Sequence, residues 1–355
     1  MRPPRATARR VRRDARLVVV MFAALLGTVA AASAAEFPPG FEQAVRAQAA
    51  PPSKLNPAID PKKGYAVESL GDGAYFVTDG LYQAMFVVTR KGVVLVDAPP
   101  TLGTKLPKAI AEKTRRPVRY FIYSHEHADH TGSAHLFATT SQFIGQQQTA
   151  ARLRADHDPK RPVPTRTFGR RLALDIGGQR IDLVYPGSNH EPGNIFIWLP
   201  RQRILMAVDV VFAGHVPFKA LGESEDIPGW VRAHDRILNY PFRFLVGGHF
   251  GLSTRQNVID QRRYVEDVRH FAGVGLTSVD VQALVQQIGT SRPWKLFKAY
   301  LDAATGFCAD RTLARWQGRL LEADVFTDSN CEVMVNTVRI RDGDLGPFGD
   351  GTPVG

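Results

Sequence analysis

The decapeptide YSHEHADHTG, Tyr123–Gly132, places His125, His127, Asp129 and His130 within six residues. Imidazole nitrogen and carboxylate oxygen are the donors that zinc and iron accept. Alternate side chains at 125, 127 and 129 converge on one point if the backbone is extended. The small residues Ala128, Thr131 and Gly132 leave room for that convergence. A solvated, histidine-rich loop is the competing reading, and the apolar strand pattern before the motif and the glycine after it weigh against it. Three further stretches offer the same donor types: GSNHEPGN with His190, ILMAVDVVF with Asp209 and FLVGGHFG with His249. A carboxylate at a strand end can also cap a helix, so Asp209 alone carries less weight than the histidines.

The elements that must position these residues alternate between strand and helix. GAYFVTD, AMFVVTR and GVVLVDAPP are short runs rich in Val, Phe and Tyr, separated by turn residues, and read as neighbouring strands. Leu102, Leu106 and Ile110 recur at helical spacing before PVRYFIYS returns to strand, so the first motif follows a strand end. RLALDI, QRIDLVYPG, NIFIWLP and RILMAVDVVF read as four more strands, followed by the helix GWVRAHDRILNY and the strand RFLVGG. From Arg255 onward the pattern is helical. This divides the chain into an extended lead-in over 35–64, an α/β body over 65–272, a helical extension over 273–345 and a flexible tail over 346–355, with the boundary near Gly273–Thr277.

Arg2, Arg5, Arg9, Arg10, Arg12, Arg13 and Arg16 precede LVVVMFAALLG and then AASAAEF, the pattern of a secretory signal over 1–34. The expected location is periplasmic or secreted, with no stable membrane span once the signal is cut, since the apolar run is too short. Seven arginines and one aspartate lie in that segment, so the formal charge of +11 falls to about +5 without it. That removes the electrostatic case for a nucleic-acid partner and leaves a small-molecule substrate. The two cysteines, Cys308 and Cys331, suit a disulfide in an exported chain, closing a loop of about twenty-four residues worth ~3 kcal/mol. Two buried free thiols are the alternative. No feature selects an oligomeric state.

The order His-x-His-x-Asp-His after a strand, then His190, Asp209 and His249, resembles the metallo-β-lactamase fold superfamily across roughly residues 65–272. The resemblance implies a four-layer αββα sandwich, here with a C-terminal helical extension. It also implies two zinc ions: one held by His125, His127 and His190, the other by Asp129, His130 and His249, with Asp209 bridging. In such a site a metal-bridging hydroxide attacks an ester, thioester, lactone or amide, and Asp129 orients the water as the catalytic carboxylate. Asp97 would support the ligand loop from behind. Ala98 and Pro99 depart from the family's usual Thr-Gly after that aspartate.

Among relatives, the Asp209 position is closer to hydroxyacylglutathione hydrolases and acyl-homoserine lactonases than to class B β-lactamases, so β-lactam cleavage is not the expected main activity. The persulfide dioxygenases of the same superfamily give an alternative, one Fe2+ on His125, His190 and Asp209. A nuclease is the weakest reading, because no inserted domain or basic arm interrupts 130–249. A non-enzymatic binding protein would be expected to have decayed ligands, whereas all seven are intact. Phe212, Val216 and Phe218 suggest an apolar acyl or ring group on the substrate, with core packing the favoured reading for Trp230. His215 is a candidate substrate-facing residue. His135 reads as a helix residue beside the site, and His157, His234 and His270 as solvated.

Overall fold

A computed structural model describes residues 55–348. The expected signal segment and most of the lead-in and tail lie outside the described residues. Two β-sheets form the centre. The first orders β1 (Ala66–Gly71), β2 (Ala74–Thr78), β3 (Gln83–Thr89), β4 (Gly92–Val96), β5 (Val118–Ile122), β6 (Gln142–Gln146) and β7 (Arg166–Phe168) side by side. Pairing is antiparallel through β4 and parallel from β4 to β7. The second sheet runs β12 (Phe244–Val246), β11 (Ile204–Met206), β10 (Phe196–Leu199), β9 (Gln179–Val184) and β8 (Arg171–Ile176), with only β11 and β12 parallel.

The central strands β3 and β4 read as continuous apolar runs because both faces are covered. In β3 and β4, Met85, Val87, Val94 and Val96 enter the core between the sheets, where they meet Ile181, Ile197, Ile204 and Met206. Their neighbours Ala84, Phe86, Val93 and Leu95 point the other way, against Leu106 and Ile110 of α1 (Lys105–Ala111). On the far side Phe196 and Leu205 of the second sheet pack on Trp230 and Ile237 of α4 (Ile227–Leu238). Helix, sheet, sheet and helix therefore stack as four layers. Between them fall the single turn α2 (Ala128–Thr131) and α3 (Gln147–Asp156).

The helical extension continues the outer layer. Helix α5 (Arg255–Ser278) starts at a reciprocal cap between Thr254 and Asn257 and runs unbroken through the expected boundary at 273–277. α6 (Val281–Ile288), α7 (Pro293–Trp316) and α8 (Ala323–Arg341) follow it. Tyr300, Ala304, Cys308, Thr312 and Trp316 of α7 are buried at a spacing of four, a single seam facing its neighbours. At Gly275 a Cβ would lie 2.6 Å from the Ala304 carbonyl, so the α5–α7 crossing depends on a glycine there. Val265, Tyr300, Cys331 and Met334 share one core with Trp230 and Leu205, which joins the extension to the sandwich. Cys308 and Cys331 are bonded, tying α7 to α8. Among the described residues no helix is long and apolar enough to cross a membrane.

Candidate metal centre

The parallel pairs β4–β5 and β11–β12 end on one edge of the sandwich, and the chemistry-bearing residues leave from those carboxyl ends. Asp97 follows β4, His125 follows β5, Asp209 follows β11 and His249 follows β12. His190 comes from the loop between β9 and β10. Strand ends thus bring together side chains separated by more than a hundred residues in sequence.

Their donor atoms form two groups, His125, His127, His190 and Asp209 in one and Asp129, His130 and His249 in the other, with the atoms of each group within 4.8 Å of one another. Asp209 lies between them. Its Oδ2 is 3.5 Å from His125 Nε2, 3.3 Å from His190 Nε2 and 3.1 Å from His130 Nε2, while Oδ1 is 3.1 Å from His249 Nε2. His190 Nε2 and His127 Nδ1 face each other at 3.0 Å. Every sequence-predicted ligand is therefore present in one cluster, and Asp209 caps no helix.

Burial sets the electrostatics. Desolvation holds the His125 imidazole well below its usual pKa and His190 at about 4, so both stay neutral donors. Burial would also depress His130, but Asp209, Asp129 and Asp97 outweigh it and raise the ring to about 9. Burial pushes the Asp209 carboxyl up, yet His130, His190 and His249 hold it well below the usual carboxylate range. Asp209 is thus an ionised carboxylate surrounded by imidazole nitrogens. His125 Nε2, His130 Nε2 and Asp209 Oδ1 are buried without a hydrogen-bond partner, a donor set that divalent cations would satisfy. The residues present fit a metal pair.

The supporting contacts are local and specific. Asp97, at φ +61°, accepts the Ser124 N–H at 2.9 Å, and Ser124 Oγ lies 2.9 Å from His125 Nδ1. Ala98 takes part through its backbone, donating its N–H to the His130 carbonyl and accepting from Ser133. Burial raises the Asp97 carboxyl to about 7. His215 is buried against Phe250 with ring centroids 4.0 Å apart, outside both donor groups. His135 is exposed in a short helical turn beyond the ligand loop.

Several residues escaped the sequence reading. Tyr82 sits over the second group, its hydroxyl 3.3 Å from Asp129 Oδ2 and its ring 4.7 Å from His249. Gln83 donates to the carbonyls of His249, Phe250 and Gly251 and accepts from Gly248 N–H, fixing the His249 loop. A lone glutamine opening the apolar strand QAMFVVT was the available signal. Asn194 donates to the Val208 carbonyl and Trp230 Nε1 to that of Asp209, at 2.8 Å each. Gly248 is required where it stands: at φ +94°, a Cβ would meet Val208 at 2.6 Å and His130 at 3.0 Å. Arg152 joins the carboxylates of Glu126 and Glu225 and approaches buried Glu191 at 3.8 Å, flanking His127.

His234 is a correction. Expected to be solvated, it is 1% exposed, with its Nδ1 3.1 Å from the Trp230 carbonyl and Nε2 2.8 Å from Gln261 Nε2. Gln261 in turn donates to Val210 and accepts from Phe212 N–H, so this pair braces the segment that follows Asp209. His157 and His270 are exposed as expected.

Residues 77–249 match the family model described as the Metallo-beta-lactamase superfamily. Among curated proteins, the chain is 29% identical over 205 residues to the 2,4-dinitroanisole O-demethylase subunit alpha of Nocardioides sp. (strain JS1661), a match covering 56% of this chain and 62% of that one. It is 24% identical over 172 residues to the metallo-beta-lactamase type 2 of Elizabethkingia meningoseptica, covering 47% and 68% respectively. Among solved structures, a metallo-beta-lactamase from Pontibacter korlensis aligns with 56% of this chain and 99% of its own, at a TM-score of 0.49 and 21% identity.

Proposed function

Because residues 77–249 form a metallo-β-lactamase-superfamily domain, we propose that this protein is an exported dinuclear zinc hydrolase of small esters, thioesters, lactones or amides. The observation that carries the reading is Asp209, whose carboxylate touches both donor groups: Oδ2 lies 3.5 Å from His125 Nε2, 3.3 Å from His190 Nε2 and 3.1 Å from His130 Nε2, and Oδ1 lies 3.1 Å from His249 Nε2. A zinc pair, when bound, supplies Lewis acidity at the carbonyl oxygen and lowers the pKa of water to near neutrality. The chain's own residues do the rest. Asp129, the exposed carboxylate of the cluster, is placed to orient a water and accept its proton. Burial and the neighbouring Asp129 and Asp209 keep the Tyr82 phenol protonated, so its hydroxyl can donate into the same space. The exported location rests on the 1–34 pattern and agrees with the Cys308–Cys331 disulfide.

Convergence of Asp129, His130 and His249 on a second donor group favours two metals over the single iron of a persulfide dioxygenase-like site, which would leave that group without a task. The substrate class is framed by Tyr82, Phe212 and Phe218, whose rings surround His249. One relative is named as acting on a methoxy-nitroarene, which supports a flat aromatic substituent as part of the substrate. The test is metal content by mass spectrometry on protein purified without added metal or chelator, with turnover of phenyl acetate, a lactone, a thioester and an aryl methyl ether. About two zinc per chain and ester or lactone turnover, both abolished in Asp209→Ala, are the expected results. One iron per chain, or an active and fully metallated Asp209→Ala protein, would refute the reading.

A further inference from the structure

The segment leaving Asp209 passes Phe212 and Phe218 and then turns left-handed: Ala220 lies at φ/ψ 53°/44°, Leu221 at 58°/48° and Gly222 at 70°/31°, followed by Glu223 at φ 53°. Only one of these four is a glycine, and even there an added Cβ would meet the Phe212 ring at 3.0 Å. Side chains avoid this conformation unless the surroundings impose it. What imposes it is α8. Leu221 N–H donates to Asn330 Oδ1 at 2.7 Å and Ala220 N–H to Ser329 Oγ at 3.2 Å. Asn330 Nδ2 donates to the Pro217 carbonyl at 2.8 Å and to Tyr264 Oη at 3.1 Å, so both the oxygen and the nitrogen of the buried amide are engaged.

Two more contacts make the hold continuous. Leu321, just before α8, donates its N–H to the Gly214 carbonyl and accepts from Val216 N–H. At the far end Glu225 N–H donates to the His190 carbonyl at 2.7 Å, so the segment starts at one ligand and ends at another. Its aromatic residue Phe218 stands 6.2 Å from His249 by ring centroids and 6.5 Å from Phe326 of α8. Cys331, next to Asn330, is bonded to Cys308 and so anchors this part of α8 to α7.

We propose that Asn330 is a positioning residue for substrate selection: it holds the left-handed turn that presents Phe218 beside His249, and Phe326 extends that aromatic wall from the C-terminal helix. The selectivity part rests on the hydrolase reading above, whereas the clamp itself does not. The helical extension is then part of the substrate site.

Zinc-loaded wild type, Asn330→Ala and Phe326→Ala separate these statements by hydrogen exchange and by kinetics on phenyl acetate against methyl acetate. In Asn330→Ala, exchange over 216–223 should rise roughly tenfold, the equivalent of about one hydrogen bond, while 204–211 and the metal content stay at wild-type values. The preference for phenyl acetate should fall by a similar factor through KM rather than kcat. Phe326→Ala should lose the preference with exchange over 216–223 unchanged. A folded Asn330→Ala protein with wild-type exchange at 216–223 would overturn the clamp, and loosened exchange with an intact phenyl preference would overturn the selectivity role. If Asn330→Ala fails to fold, Ser329→Ala, which removes only the Ala220 contact, decides the clamp by the same comparison. If wild type cleaves neither ester, the hydrolase reading fails and with it the selectivity role, while exchange still decides the clamp.

Discussion

Lowering the pH should remove stability through one buried ring, His234. Its two nitrogens are committed in the neutral form: Nδ1–H donates to the Trp230 and Val231 carbonyls, and Nε2 accepts from the Gln261 amide. A second proton would set an N–H against that amide. Burial accordingly lowers the His234 pKa from 6.5 to about 4. The folded value lies below the unfolded one, so the contribution is fully present above about pH 6.5 and is lost as pH falls toward 4. A difference of about 2.5 pKa units corresponds to ~3 kcal/mol, of which ~2.5 kcal/mol is gone by about pH 4.5. Other groups titrate in this window, His190 among them, so the measurement is a difference. Urea unfolding of wild type and His234→Gln is followed from about pH 7.5 to 4.5, and the shared contributions cancel. Wild type should lose ~2.5 kcal/mol relative to the variant over that range. A difference constant to within about 0.5 kcal/mol would refute the burial argument and return His234 to solvent.

Two further outcomes follow from the braces around the site. Trp230→Phe removes the donor to the Asp209 carbonyl at an otherwise buried position; it should cost ~1–3 kcal/mol in urea unfolding and, in protein loaded with zinc, speed metal loss to a chelator, and unchanged metal release would show that Asp209 needs no such brace. Replacing Cys308 and Cys331 by serine together opens a loop with a sequence separation of 23 and should destabilise the protein by ~3 kcal/mol, read as a lower denaturation midpoint; an unchanged midpoint would show that α7 and α8 are held by packing alone.

The candidate ligands were legible because metal chemistry restricts residue type and the order of five histidines and two aspartates resembles one family's pattern; the structure brings their donor atoms into two groups. The strands were legible because β3 and β4 bury both faces, which leaves an unbroken apolar run, while their stacking as a four-layer sandwich was implied by the family resemblance. His234 was misread for a definable reason. Its neighbours Arg232, Asp235 and Arg236 are polar, but Trp230, Ala233, His234 and Ile237 share the buried face of α4, and the helical period placed it there. The expected boundary at 273–277 failed to appear as a break because apolar periodicity reports that a face is covered, and not by what. Helix α5 carries one buried stripe from Val258 to Leu276, covered first by α4 and then by α7 and α8.

What no local pattern could show is how the strained backbone is held. Asp97, Asp209, Leu221 and Phe250 all take positive φ without being glycine, and all lie on segments that form or flank the metal centre. Each has its own long-range partner: Ser124 for the Asp97 carboxylate, Trp230 for the Asp209 carbonyl, Asn330 for the Leu221 amide and Gln83 for the Phe250 carbonyl. A left-handed non-glycine residue persists only where its surroundings over-determine it. All four partners lie more than twenty residues away from the positions they hold, at sequence separations of 27, 109 and 167 for Ser124, Asn330 and Gln83. The shortest reach is that of Trp230, twenty-one residues back from α4. Sequence chemistry therefore identifies what would bind metal, while the geometry that makes binding possible is distributed over tryptophan, asparagine and glutamine side chains whose roles exist only once the layers have closed.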